Sequence, residues 1–131
     1  MKLIAVAAGL LLLGCGSAAA STTSLRITAW GSPVATAQTW TLRCGPAGGT
    51  LPHPAQACRQ LAQLRAPFAP LAKDIACTAI YGGPQRGRVR GIFRSARVDV
   101  AFNRTDGCQI LRWSRVTFLF PIFVGTDPPP R

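Results

Sequence analysis

The chain has 131 residues and carries 15 Lys and Arg against 4 Asp and no Glu, giving a formal net charge of +11. A lone histidine, His53, and the absence of glutamate argue against carboxylate-pair hydrolysis, a His-based catalytic centre and a His-rich metal site. The length admits one small domain with flanking segments, and the positive excess attracts anionic surfaces without identifying a partner.

The chain opens with Lys2 and a nearly unbroken apolar run from Leu3 to Leu13. That run is too short to cross a bilayer and has the shape of a secretory signal core. It ends in Leu12-Leu13-Gly14-Cys15, which resembles a bacterial lipobox. Residues 1–14 are then a lipoprotein-type signal peptide, and Cys15 is the lipidated residue that anchors the protein to the outer face of the membrane. Cleavage near Ala20, releasing a free extracellular protein, is the alternative. Residues 15–24 are small and polar and read as a flexible tether.

With Cys15 assigned to lipid, Cys44, Cys58, Cys77 and Cys108 remain, an even set that reads as disulfides in an exported chain. Their spacing contains no Cys-x-x-Cys pair, so no structural zinc is expected. No other metal or cofactor is expected either.

Leu25, Ile27 and Ala29 alternate with Arg26, Thr28 and Trp30, and after a Gly31-Ser32-Pro33 break Trp40, Leu42 and Cys44 share a face. Both stretches read as half-buried strands. Helical spacing of Ala57, Leu61 and Leu64 predicts a helix over Pro54 to Leu64, with a second short helical turn near Pro67 to Lys73. Val89, Gly91 and Phe93 alternate with Arg88, Arg90 and Arg94, and Val98, Val100 and Phe102 with Arg97, Asp99 and Asn103. Arg94-Ser95-Ala96 forms the turn between these two strands. A last strand is expected over Trp113 to Phe120, with Val116, Phe118 and Phe120 on one face. Trp30, Trp40 and Trp113 read as core or dimer contacts. Residues 121–131, with four prolines, read as an irregular tail. The sum is an α+β domain over residues 25–120, a small antiparallel sheet with helix covering one face.

Between Cys77 and the Gly82-Gly83-Pro84 turn lies Thr78-Ala79-Ile80-Tyr81, small or apolar residues ending in a tyrosine. A covalently anchored extended segment of this make-up suits the cleft of a protease, which binds substrate by backbone pairing. Held rigid beforehand, it loses little ordering entropy on binding.

Two stretches carry a resemblance. Leu42-Arg43-Cys44-Gly45-Pro46-Ala47-Gly48-Gly49-Thr50 continues through Pro52 and Pro54 to Ala57-Cys58, and Cys77-Thr78-Ala79-Ile80-Tyr81 is followed at a distance by Cys108. Together they resemble the bacterial subtilisin inhibitor-like family of serine protease inhibitors. The resemblance implies disulfides Cys44–Cys58 and Cys77–Cys108, a five-stranded antiparallel sheet with two helices, and a homodimer. It implies no enzymatic activity, and a subtilisin-like or elastase-like serine endopeptidase as partner. It makes Ala79–Ile80 the reactive bond, with Ala76, Cys77, Thr78 and Tyr81 as protease contacts. The chain departs from the family pattern at Gly82-Gly83, where an acidic residue and proline are usual. It departs again at Asp106, where an asparagine commonly supports the loop.

The competing reading is an exported cationic module on a scaffold that has lost inhibition. Arg88, Arg90, Arg94 and Arg97 would then meet anionic lipid or cell-wall polymer. Nucleic acid is not expected as a partner, because no aromatic-basic motif is present.

Overall fold

The computed structural model describes residues 14, 22–31 and 36–123; residues 1–13 of the expected signal peptide, Cys15, most of the tether and most of the tail lie outside these. Period-two alternation produces strands β1 (Thr23–Trp30) and β2 (Gln38–Cys44). Helix α1 (Pro54–Gln63) follows, then strands β3 (Arg86–Phe93) and β4 (Ala96–Phe102), and helix α2 (Gly107–Arg115). Two 3-10 turns, Thr117–Leu119 and Pro121–Phe123, close the described chain.

The strands form an antiparallel sheet in the order β2-β1-β3-β4. It has four strands among the described residues, one fewer than the resemblance implied. The expected strand over Trp113 to Phe120 is instead the end of α2 and the 3-10 turn after it. The reason is local. Asp106 caps α2, its carboxylate accepting from the Gln109 backbone N–H at 2.9 Å. Trp113, Val116 and Phe120 are all buried, a helical recurrence that competes with the alternation of Val116, Phe118 and Phe120.

Leu25, Ile27 and Ala29 of β1 point into the core with Leu42, Val89 and Phe102 from the other strands. Ala57 and Leu61 of α1 and Trp113 of α2 close over them. Trp113 stacks on Phe120 with centroids 4.7 Å apart, and Phe120 meets Phe102 edge-on at 5.8 Å. Gly87 is where the Phe120 ring crosses β3, and a Cβ there would collide with it. Of the tryptophans, Trp113 is core, whereas Trp30 and Trp40 are only half-buried.

Both disulfides that the resemblance implied are present. Cys44–Cys58 ties the end of β2 to α1, and Cys77–Cys108 ties the α1–β3 connection to the first turn of α2. Their sequence separations of 14 and 31 imply stabilisation on the order of 3–4 kcal/mol each.

The β3–β4 turn has both central residues left-handed, Arg94 at φ 48° and Ser95 at φ 65°. Such a two-residue turn matches the twist of the hairpin, although Asn and Gly adopt it more readily. Arg94 compensates through its side chain. Its guanidinium donates to the backbone carbonyls of Leu61, Leu64 and Arg65 at 2.8–3.1 Å, at the end of α1 where helix carbonyls run out of amide partners; the Leu61 carbonyl also accepts from the Leu64 N–H. Arg94 thus fastens the hairpin to α1 and does not belong to a basic face. Arg94→Ala is expected to cost about 1–2 kcal/mol, because charge-assisted hydrogen bonds are lost. Thermal melting would register this as a drop of several degrees in Tm.

Candidate functional site

Between α1 and β3, residues 64–85 form no helix or strand. The short helical turn expected near Pro67 to Lys73 is absent. Isolated turns stand at 67–68 and 73–74, since Pro67 and Pro70 lack the amide donors a helix needs. Phe68 anchors the start of this connection, buried against Phe93 with centroids 4.9 Å apart. From Ala72 to Tyr81 every residue is exposed.

All six expected contact residues, Ala76, Cys77, Thr78, Ala79, Ile80 and Tyr81, lie in this one exposed run. Ile80 is 58% and Tyr81 66% exposed, which leaves two adjacent large apolar side chains facing water. The backbone is nevertheless fastened. The Thr78 carbonyl accepts from the Gly107 N–H at 3.0 Å, and the Gly82 N–H donates to the Arg104 carbonyl at 2.7 Å. The Cys77–Cys108 bridge adds a covalent tie one residue before the first of these bonds. Ala79, Ile80 and Tyr81 therefore span between two hydrogen bonds to a single support, residues 104–108.

That support is built from the end of β4 and the start of α2. The Asp106 carboxylate is engaged by the Gln109 N–H and so orients the helix, whose first amides, without intrahelical partners, include that of Gly107. The carboxylate holds the loop only through this framework, by backbone rather than side-chain donation. Arg104 is buried under the segment and donates from Nη1 to Gln85 Oε1 at 3.3 Å.

The glycines that depart from the family pattern have physical roles. A Cβ on Gly82 would lie 2.9 Å from the Ile110 side chain and 3.2 Å from the Arg104 Cβ, so the close approach to the support requires glycine. Gly83 has φ 123°, a region L side chains rarely adopt, and redirects the chain toward β3. Gly107 is equally confined, since a Cβ there would collide with the Thr78 hydroxyl. Sequence reasoning singled out the loop and, through the resemblance, a support around Asp106, but assigned no role to Gly107 or Arg104. The glycine directly before Cys108, and the Asp106-x-x-Gln109 capping pattern, are the signals that could have revealed this support.

Gly107→Ala is expected to push Thr78 off its position and loosen the backbone from Thr78 to Gly82, with the fold retained. Adding Thr78→Ala should reverse part of that loosening, because it removes the hydroxyl the new methyl strikes. Amide hydrogen exchange at Thr78, Ala79 and Gly82 in the two single variants and the double variant forms the cycle that checks this.

Cys77, Cys108 and Asp106 place a potential ligand atom each within 4.8 Å of one another. Both sulfurs are consumed in the disulfide, and a disulfide lacks the thiolate that binds metal. His53 is exposed at the start of α1, in a left-handed conformation at φ 52°.

The family model described as subtilisin inhibitor-like matches residues 19–105 and stops short of Cys108. Among solved structures, Streptomyces caespitosus sermetstatin in complex with Bacillus licheniformis subtilisin is similar to this chain at 23% identity. That likeness covers 72% of this chain and 96% of the other, with a TM-score of 0.45. No curated protein matches.

Proposed function

The chain belongs to the subtilisin inhibitor-like family, whose members restrain proteases rather than act as enzymes, and from that premise we propose that it is a substrate-like inhibitor of secreted serine endopeptidases. The reactive bond is Ala79–Ile80. Ala79 fills the first pocket of a subtilisin-like or elastase-like enzyme. Thr78, Cys77 and Ala76 pair with the cleft on one side of that bond and Tyr81 on the other.

One observation supports this reading above all. The segments on either side of Ala79–Ile80 are held by the same support, through the Cys77–Cys108 bridge and the Thr78–Gly107 bond on one side and the Gly82–Arg104 bond on the other. An attacking serine would form an acyl-enzyme at Ala79 and leave a free amine on Ile80. That amine stays beside the acyl group at high effective concentration, so religation competes with hydrolysis. The rigid segment also gives up little freedom on binding, which favours affinity.

The proposal includes export. No helix among the described residues is long and apolar enough to cross a membrane, and anchoring rests on lipid at Cys15. Mass spectrometry of the exported protein tests the anchor: a diacylglyceryl mass on Cys15 is expected, and a free N-terminus near Ala20 would replace the anchored form with a free extracellular one. A homodimer stays in the proposal on the family resemblance alone.

Titration of subtilisin, elastase and trypsin with the purified protein tests the function. Stoichiometric loss of subtilisin activity is expected, with elastase also inhibited and trypsin much less. Trypsin inhibition equal to or better than subtilisin inhibition would place the reactive bond elsewhere.

A further inference from the structure

The run from Ala76 to Tyr81 is too short to make a whole protease interface. Complexes of proteases with protein inhibitors engage about 20–30 residues a side and cover about 800 Å² of each partner. The remaining area has to come from surface continuous with that run. A circular patch of this size has a radius of about 16 Å. Ile75 stands four residues before Ala79, at most about 14 Å away along a fully extended chain. It therefore falls inside the footprint of an enzyme centred on the Ala79–Ile80 bond.

Among the described residues the exposed large apolar side chains are Ile75, Ile80, Tyr81, Leu111 and Ile122. Ile80 and Tyr81 belong to the reactive segment. Ile75, 51% exposed, and Leu111, 57% exposed, line one groove of about 340 Å³ between the α1–β3 connection and α2. Such a joined apolar surface marks a place where a partner is received. Cys108, Leu111 and Arg115 recur at i, i+3 and i+7, so they share one face of α2, and all three line the groove. Cys108 also carries the bridge to Cys77, so the groove begins where the reactive segment is tied down. Its charged end is Arg115, which is exposed. The neighbouring Arg112 is engaged within the fold, donating from Nη1 to the Ala101 carbonyl at 3.1 Å and lying over the Phe102 ring.

We infer that this groove is a second contact surface for the enzyme held at Ala79–Ile80, an inference that rests on the inhibitory reading. An apolar side chain from the rim of the enzyme's cleft seats between Ile75 and Leu111, and an acidic group beside it faces Arg115. Burial of the two side chains in the complex recovers the hydrophobic free energy that their exposure forgoes in the free protein. Choice of target then depends on the enzyme's rim as well as on its first pocket. Two proteases that both accept Ala79 are inhibited unequally if only one carries the matching rim.

The test measures association and dissociation rates with subtilisin for the parent and four variants. The combined variant Ile75→Ser, Leu111→Ser should dissociate about tenfold faster with little change in association. Its Tm should match that of the parent, because both side chains are exposed. Leu111→Ser alone should dissociate about threefold faster, and it carries the test if the double variant fails to fold. Arg115→Glu should slow association severalfold at low salt and much less at high salt. Ile122→Ser, outside the groove, is the control and should change neither rate. Unchanged dissociation in the double variant, equal acceleration by Ile122→Ser, or unchanged association in Arg115→Glu would overturn the inference. So would a parent dimer that the double variant loses, since the groove would then hold a second copy of the chain. A parent that subtilisin digests without forming a complex would instead defeat the inhibitory reading, and this inference with it.

Discussion

Replacing Cys77 and Cys108 together with serine is expected to turn the protein from an inhibitor of subtilisin into a substrate. The bridge spans a sequence separation of 31 and restricts the segment just ahead of the reactive bond. Without it, the Thr78–Gly107 and Gly82–Arg104 hydrogen bonds hold the segment alone, and each contributes only about 0.5–1.5 kcal/mol net. If about 3 kcal/mol of loop restriction is lost from binding, affinity falls on the order of a hundredfold. A nicked Ala79–Ile80 bond also parts more readily, so hydrolysis overtakes religation. The matched control replaces Cys44 and Cys58 with serine. Their bridge ties β2 to α1, away from the reactive segment, so that variant should melt at lower temperature yet inhibit normally while folded. Equal loss of inhibition in both variants would mean the second bridge acts only on global stability.

Ala79→Lys should redirect the inhibitor toward trypsin. A methyl group leaves the acidic base of a trypsin pocket unpaired, which disfavours the complex. Lysine supplies the missing charge, and a buried charge pair of this kind is worth several kcal/mol when one partner is removed. Trypsin inhibition is therefore expected to improve on the order of a hundredfold or more. Ala79 is exposed, so the change should alter folding stability by less than about 0.5 kcal/mol. Inhibition constants against trypsin and subtilisin measured side by side check this. An unchanged ratio would show that the Ala79 side chain does not enter the first pocket.

The sheet was legible in the sequence wherever alternation was clean. Leu25, Ile27 and Ala29 against Arg26, Thr28 and Trp30 leave one reading, and the four strands stand where that pattern predicts. The region after Cys108 was not legible in the same way, because Val116, Phe118 and Phe120 alternate while Trp113, Val116 and Phe120 recur as a helix does. The Asp106 cap decided between them. That residues 76–81 form an exposed, tethered run could be anticipated from composition and cysteine placement, since both follow from local chain properties. The resemblance located its support near Asp106 but gave no contacts to Arg104 and Gly107, which meet Gln85 and Thr78 across long sequence separations that only the folded chain brings together. The role of Arg94 was hidden for the same reason. Alternation placed it on the basic face, whereas a left-handed turn directs its guanidinium onto the end of α1.

The central claim concerns what happens to one peptide bond, and incubation with an equimolar amount of subtilisin addresses it directly. Mass spectrometry over hours should find a persistent one-to-one complex, with any cut confined to Ala79–Ile80 and resealing as equilibrium is approached. Rapid, complete cleavage, or cutting at a different bond with release of active enzyme, would contradict the account.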